Sequence, residues 1–202
     1  TGGKHVLKST GSGGKGLNAD GEITVAGGEV TITTTGGEYV YSDAITSSPK
    51  AVKADGNVTI SDGVLNIAAT GKSDGAEGLD SGASLSISGG ETFVYAYDDA
   101  VNITSSMLVS GGKLYAYSSN NDGIDANSTL TVSGGVVIGV GTGEPESGID
   151  VDKSDNFVVK GGVVIALGGA LQSSPSSSST QCSVVCKGLE VSKDNVISGL
   201  DS

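Results

Sequence analysis

Apolar and polar residues alternate along this chain in short runs that stop at glycine pairs. Ile23 and Val25, Val58 and Ile60, Leu85 and Ile87, Met107 and Val109, Leu130 and Val132, and Phe157 and Val159 each form an every-other-residue pair. These pairs precede Gly27-Gly28, Asp62-Gly63, Gly89-Gly90, Gly111-Gly112, Gly134-Gly135 and Gly161-Gly162. A second alternating run follows each closing pair, with inward candidates Val30 and Ile32, Leu65 and Ile67, Val94 and Ala96, Leu114 and Ala116, Val137, and Val164 and Ala166. A period of two is that of a strand with one buried face, and no stretch carries a helical period. Each unit therefore reads as strand, glycine corner, strand and polar turn.

The units repeat. Their starts, Gly16-Leu17-Asn18, Ala51-Val52-Lys53, Gly78-Leu79-Asp80, Ala100-Val101-Asn102, Gly123-Ile124-Asp125 and Gly148-Ile149-Asp150, share a small residue, an aliphatic and a polar residue. In the first five, eleven positions separate the start from the closing pair; the last is two longer. A unit this short cannot bury its apolar face alone, but a stack can. A β-sandwich also uses short strands, yet has no reason to return the same residue types at the same positions. The fold expected is all-β, a single-stranded right-handed parallel β-helix forming one domain over 1–202. Regular coils are expected at about 14–169, a serine-rich excursion at 173–180 and an irregular coil or cap at 181–202. The 35-residue step from Gly16 to Ala51 should hold a projecting loop containing Tyr39 and Tyr41.

Stacking also aligns chemistry. The third template positions are Asn18, Lys53, Asp80, Asn102, Asp125 and Asp150; just before the template stand Lys15, Lys50, Glu77, Asp99, Asp122 and Ser147, with Asp98 and Glu146 beside them. Equivalent residues of stacked strands lie about 4.8 Å apart. Two carboxylates at that distance repel by about 3.5 kcal/mol at an effective dielectric of 20. Calcium, which accepts six to eight oxygens, would offset this. The candidate metal ligands are Glu77, Asp80, Asp98, Asp99, Asn102, Asp122, Asp125 and Asp150. The competing reading is that these residues cap backbone amides in turns.

Charge narrows the partners. The 202 residues carry 23 acids against 11 basic residues, all lysine, for a net charge of -12. An acidic chain without arginine or tryptophan is poorly equipped for nucleic acid, and no apolar run is long enough to span a bilayer. Cys182 and Cys186 would be about 13 Å apart on an extended strand, so a disulfide needs a turn between them. The lone His5 lies in the polar leader, with no serine–histidine–acid arrangement around it.

The segments SSPKAVKADGNVTISDGVLNI from Ser47, AEGLDSGASLSISGG from Ala76 and NDGIDANSTLTVSGG from Asn121 resemble a family of secreted bacterial carbohydrate-binding β-helix proteins with a polysaccharide-lyase-like fold. The resemblance covers residues 14–169, and Ala100-Val101-Asn102 departs from its Gly-Ile-Asp form. It implies bound calcium, an extracellular or cell-surface location, and binding of cellulose or acidic sugars such as polygalacturonate. The sugar-stacking candidates are Tyr39, Tyr41, Phe93, Tyr95, Tyr97, Tyr115 and Tyr117. A non-catalytic module is the leading reading. One alternative is a calcium-dependent pectate lyase, in which Lys53 would be the base, although a lysine beside acids gains a raised pKa, the opposite of what a base requires. The other is a structural surface adhesin.

Overall fold

The computed structural model describes residues 2–169 and 173–184; Cys186 and all but the first four residues of the irregular coil or cap expected at 181–202 lie outside the described residues. Cys182 is exposed. Among the described residues, seventeen strands follow in chain order. The first five are β1 (Lys4–Ser9), β2 (Lys15–Ala19), β3 (Ile23–Thr34), β4 (Tyr39–Ser42) and β5 (Ile45–Ser47). Next come β6 (Lys50–Ala54), β7 (Val58–Ala69), β8 (Glu77–Ser81), β9 (Leu85–Ile87), β10 (Glu91–Ala96) and β11 (Val101–Ile103). The last six are β12 (Ser106–Val109), β13 (Lys113–Ser118), β14 (Ile124–Ala126), β15 (Thr129–Val140), β16 (Ile149–Val151) and β17 (Phe157–Leu167). Among the described residues there is no α-helix, only a 3-10 turn at Ser154–Asn156.

Among the described residues all strand pairs are parallel except one hairpin, and the pairing joins equivalent template positions. In the six-stranded sheet β16-β14-β11-β8-β6-β2, Leu17 pairs with Val52, Val52 with Leu79, Leu79 with Val101, Val101 with Ile124 and Ile124 with Ile149. The larger sheet runs β1-β3-β7-β10-β13-β15, with β17 beyond β15, and β9 and β12 bridging the first halves of β7 and β15. The fold is therefore all-β, with strands stacked in parallel register around one core. That core collects inward positions read from the sequence, Ile60, Ile87, Val109, Leu130 and Val137 among them, together with the template aliphatics Val52, Leu79, Val101, Ile124 and Ile149. Each fully buried aliphatic contributes about 1.5–3 kcal/mol from removal of its surface from water.

The glycine pairs are corners. The second residue of each lies at positive φ, from +73° at Gly112 to +100° at Gly63. A Cβ on Gly90 would sit 2.6 Å from the Gly63 carbonyl oxygen of the preceding unit. A side chain would thus be strained by conformation and also collide with the stack. At the corners of β3 and β17 the parallel register slips, so one long strand bends and serves two faces.

Where a projecting loop was expected, the chain forms the antiparallel hairpin β4–β5. The β-branched and aromatic residues Tyr39, Val40, Tyr41 and Ile45 favour strand over loop, and all four are exposed. At the far end, the serine-rich segment lies along the last unit. The Ser176 amide donates to the Phe157 carbonyl at 2.6 Å, the Thr180 amide donates to the Val159 carbonyl at 3.0 Å, and the Ser179 hydroxyl accepts from the Val159 amide at 3.0 Å. Serine hydroxyls there satisfy edge groups that an ordinary strand would leave open.

Candidate functional site

Two charged columns run up the six-stranded sheet, and both are those read from the sequence. On its outer face Asn18, Lys53, Asp80, Asn102, Asp125 and Asp150 follow one another strand by strand. At the corner before it, Lys15 pairs with Lys50 and Lys50 with Glu77; the column continues through Asp99, Asp122 and Ser147, whose carbonyls accept the Gly78, Ala100 and Gly123 amides. The corner column is deep: Glu77, Asp99 and Asp122 are 7%, 6% and 8% exposed.

Burial sets the electrostatics. It pushes Glu77 up to about 7, an effect that the nearby Lys50 only partly opposes. Asp99 rises to about 8, first through desolvation and then through the neighbouring charges of Asp98, Asp125 and Glu77. Asp122 and Asp125 are raised to about 6, again chiefly by burial. At the cationic end, burial lowers Lys15, with Lys50 and Lys53 adding repulsion. Lys53 is raised by its hydrogen bond to Asp55, at 2.5 Å. That removes the free-base character a catalytic lysine needs.

Within the columns, Lys50 Nζ lies 2.5 Å from Glu77 Oε2 and 3.2 Å from Asp80 Oδ2. This internal cation joins both columns. Farther along there is no such lysine. The Asp122 amide donates to Asp99 Oδ1 at 3.1 Å and the Ser147 amide to Asp122 Oδ1 at 2.5 Å, so each carboxylate ties its own unit to the next. Asn102 donates to Asp99 Oδ2 at 3.4 Å, and Asn127 bridges Asn102 and Asp125 at 3.1 and 3.2 Å. Asp98 accepts from the Gly75 amide and, at 2.6 Å, from Asn121. Asp150 is exposed. Hard carboxylate oxygens suit calcium in kind and in charge. Among the described residues, however, no three acidic, histidine or cysteine side chains come together in a group that could hold a metal. The capping role and the metal role therefore compete for the same oxygens.

The outer face of the larger sheet carries the aromatic residues. Phe93 pairs with Tyr115 and Tyr95 with Tyr117 across β10 and β13. The Phe93 and Tyr115 rings stack with centroids 4.9 Å apart and planes 4° from parallel; Tyr95 and Tyr117 stack at 5.5 Å and 25°. Ile138 and Ile165 continue one column on the far side, Val140 and Leu167 the other. Tyr97, half-buried, follows β10 at the corner that leads through Asp98 and Asp99 to β11. Tyr39 and Tyr41 belong to the projecting hairpin and do not join this ladder.

A family model described as carbohydrate-binding domain-containing protein matches residues 1–76, 42–123 and 72–201. The chain belongs to that family. No curated protein and no solved structure matches it. The carbohydrate-binding family's matches overlap at 42–76 and 72–123, which a repeating template produces by allowing alignment in more than one register.

Three features of these faces escaped sequence reading. Lys50 was legible as a column member but not as the bridge between Glu77 and Asp80, which depends on the reach of its side chain. Asn121 and Asn127 orient Asp98 and Asp125; each lies beside a template acid, the signal that could have flagged them. Thr31 and Asn66 share the column of Phe93, and only the strand register reveals it.

Proposed function

We propose that this chain is a right-handed parallel β-helix, secreted or held at a cell surface, that binds polysaccharide without cutting it and takes calcium on its acidic columns. Parallel crossovers are right-handed in nearly all known cases, which favours that hand for the stack. The family supports a carbohydrate partner. The observation that carries the reading is a juxtaposition: an exposed aromatic ladder and a set of buried acids meet across the single corner Tyr97-Asp98-Asp99. Rings give a glycan apolar area, and acids with calcium give it a charged handle.

The chemistry favours binding over turnover. Cleavage by paired carboxylates needs one acid and one base whose environments push their pKa values apart. Here Glu77, Asp99, Asp122 and Asp125 are all pushed upward by the same cause. Lys53, the candidate base of a lyase, is pushed the wrong way and bound to Asp55. Asp99, Asp122 and Asp125 are the residues that would hold calcium. Asp99 would have to release the Asp122 amide or Asn102, and the three side chains would have to close on one ion, which would supply positive charge for uronate carboxylates.

The test is calorimetric titration of polygalacturonate and of soluble cellulose fragments, with calcium and with a chelator, while following unsaturated-uronide absorbance. Calcium-dependent binding of polygalacturonate without new absorbance is the expected result. Growing absorbance makes the protein a lyase. No heat with any glycan leaves the columns a structural device.

A further inference from the structure

The aromatic ladder ends in a step. In the strand before Phe93 and Tyr95 the matching positions are Asn66 and Ala68, and in the strand before that, Thr31 and Thr33. Tall rings give way to short side chains over two strand spacings, about 9–10 Å. The result is an open trench whose lining includes all six of these residues. Phe93 and Tyr95 each have one face against a ring of the next unit. Their opposite faces look onto the trench. Tyr115 and Tyr117 also border the trench, but stand behind Phe93 and Tyr95, and the next positions in their columns are Ile138 and Val140.

The floor is polar and uncharged. Among the described residues, the side chains of Thr31, Thr33 and Asn66 make no hydrogen bond, so two hydroxyls and an amide are open to a ligand. The charges alongside are already paired: Lys113 with Glu91 at 2.7 Å and Lys4 with Glu29 at 2.7 Å. Lys8 stands beyond Thr33 at the far rim, three strand positions from Tyr95, or about 14 Å.

We propose that this trench is a glycan subsite for an uncharged polysaccharide chain laid along the strands, its sugars stacking on the free faces of Phe93 and Tyr95 and its hydroxyls bonding to Asn66, Thr31 and Thr33. The proposal rests on the carbohydrate-binding reading and locates within it a site that needs no calcium. Phe93 and Tyr95 stand two residues apart on one strand, about 6.6 Å. That spacing suits neighbouring pyranose rings. Among the described residues the trench lining carries no charged side chain, and Lys8, the nearest lysine without an ion pair, stands only at the rim beyond Thr33, so the trench favours neutral sugars where the acidic columns with calcium favour uronates.

The test is calorimetry with cellohexaose, xylohexaose and mannohexaose in chelator, with polygalacturonate in calcium alongside, on the full chain and three variants. At least one neutral hexaose is expected to bind. Tyr95→Ala and Ala68→Phe should each weaken it by about tenfold or more, since Ala68→Phe adds a ring to the ladder and fills the floor. Tyr117→Ala should cost less than about threefold. Matching denaturation midpoints show that the variants fold. Equal losses at Tyr95 and Tyr117, or an Ala68→Phe variant that binds as before, overturn the trench. If polygalacturonate binds and no neutral hexaose does, the carbohydrate reading stands and the trench falls. If no glycan binds, both fall.

Discussion

Asp99→Asn tests the electrostatic reading of the corner column most directly. Asp99 is held at about 8 in the folded chain against an ordinary 3.8. The folded state therefore binds a proton that the unfolded state has released, and between those values stability falls as pH rises. The stability is fully present below about pH 4 and lost progressively up to about pH 8. At about 1.4 kcal/mol per unit, the shift corresponds to on the order of 5 kcal/mol by pH 8. Because Asp98, Asp125 and Glu77 rearrange around the site, a single substitution recovers less than the whole of this. Asparagine has the same shape, and its carbonyl oxygen still accepts the Asp122 amide that Asp99 holds at 3.1 Å. Asp99→Asn should thus stabilise the chain by about 2–5 kcal/mol at pH 8 and by almost nothing at pH 4. Urea denaturation in chelator at the two pH values measures it. With calcium added at pH 8, the wild type should gain stability and Asp99→Asn should gain less. A wild type more stable at pH 8 than at pH 5 without calcium, or a variant with the same gain at both pH values, would refute the reasoning.

Three other outcomes follow from the structure. Lys50→Met leaves Glu77 and Asp80 without their shared cation and raises Glu77 further, so it should cost about 3–5 kcal/mol at pH 8 and far less at pH 4, as read by denaturation at both. Gly90→Ala forces a side chain into positive φ and against the Gly63 carbonyl, and should cost at least about 1–2 kcal/mol with a lowered thermal midpoint. Ile124→Ala, at a fully buried position between Val101 and Ile149 in its column, should cost about 2–5 kcal/mol by denaturant midpoint while leaving glycan affinity unchanged.

The repeat, the corners and the columns are all written in the order of the residues. Alternation decides which side chains face inward, so Ile60, Ile87, Val109, Leu130 and Val137 are legible as core from the residues alone. A glycine that must adopt positive φ marks its own corner, and equal spacing brings equivalent acids together, because parallel strands stack position on position. Tertiary structure decided what those residues can do. Whether Asp99 is solvated or 6% exposed depends on units on either side of it, and its raised pKa is a consequence of that burial. Lys50 reaches two acids because a flexible four-carbon stem crosses between columns, which spacing does not encode. The excursion after Gly36 became a hairpin through its own cross-strand pairs. The trench exists only because Asn66 and Ala68 are short where the next strand is tall, a relation between residues 27 positions apart that register alone creates.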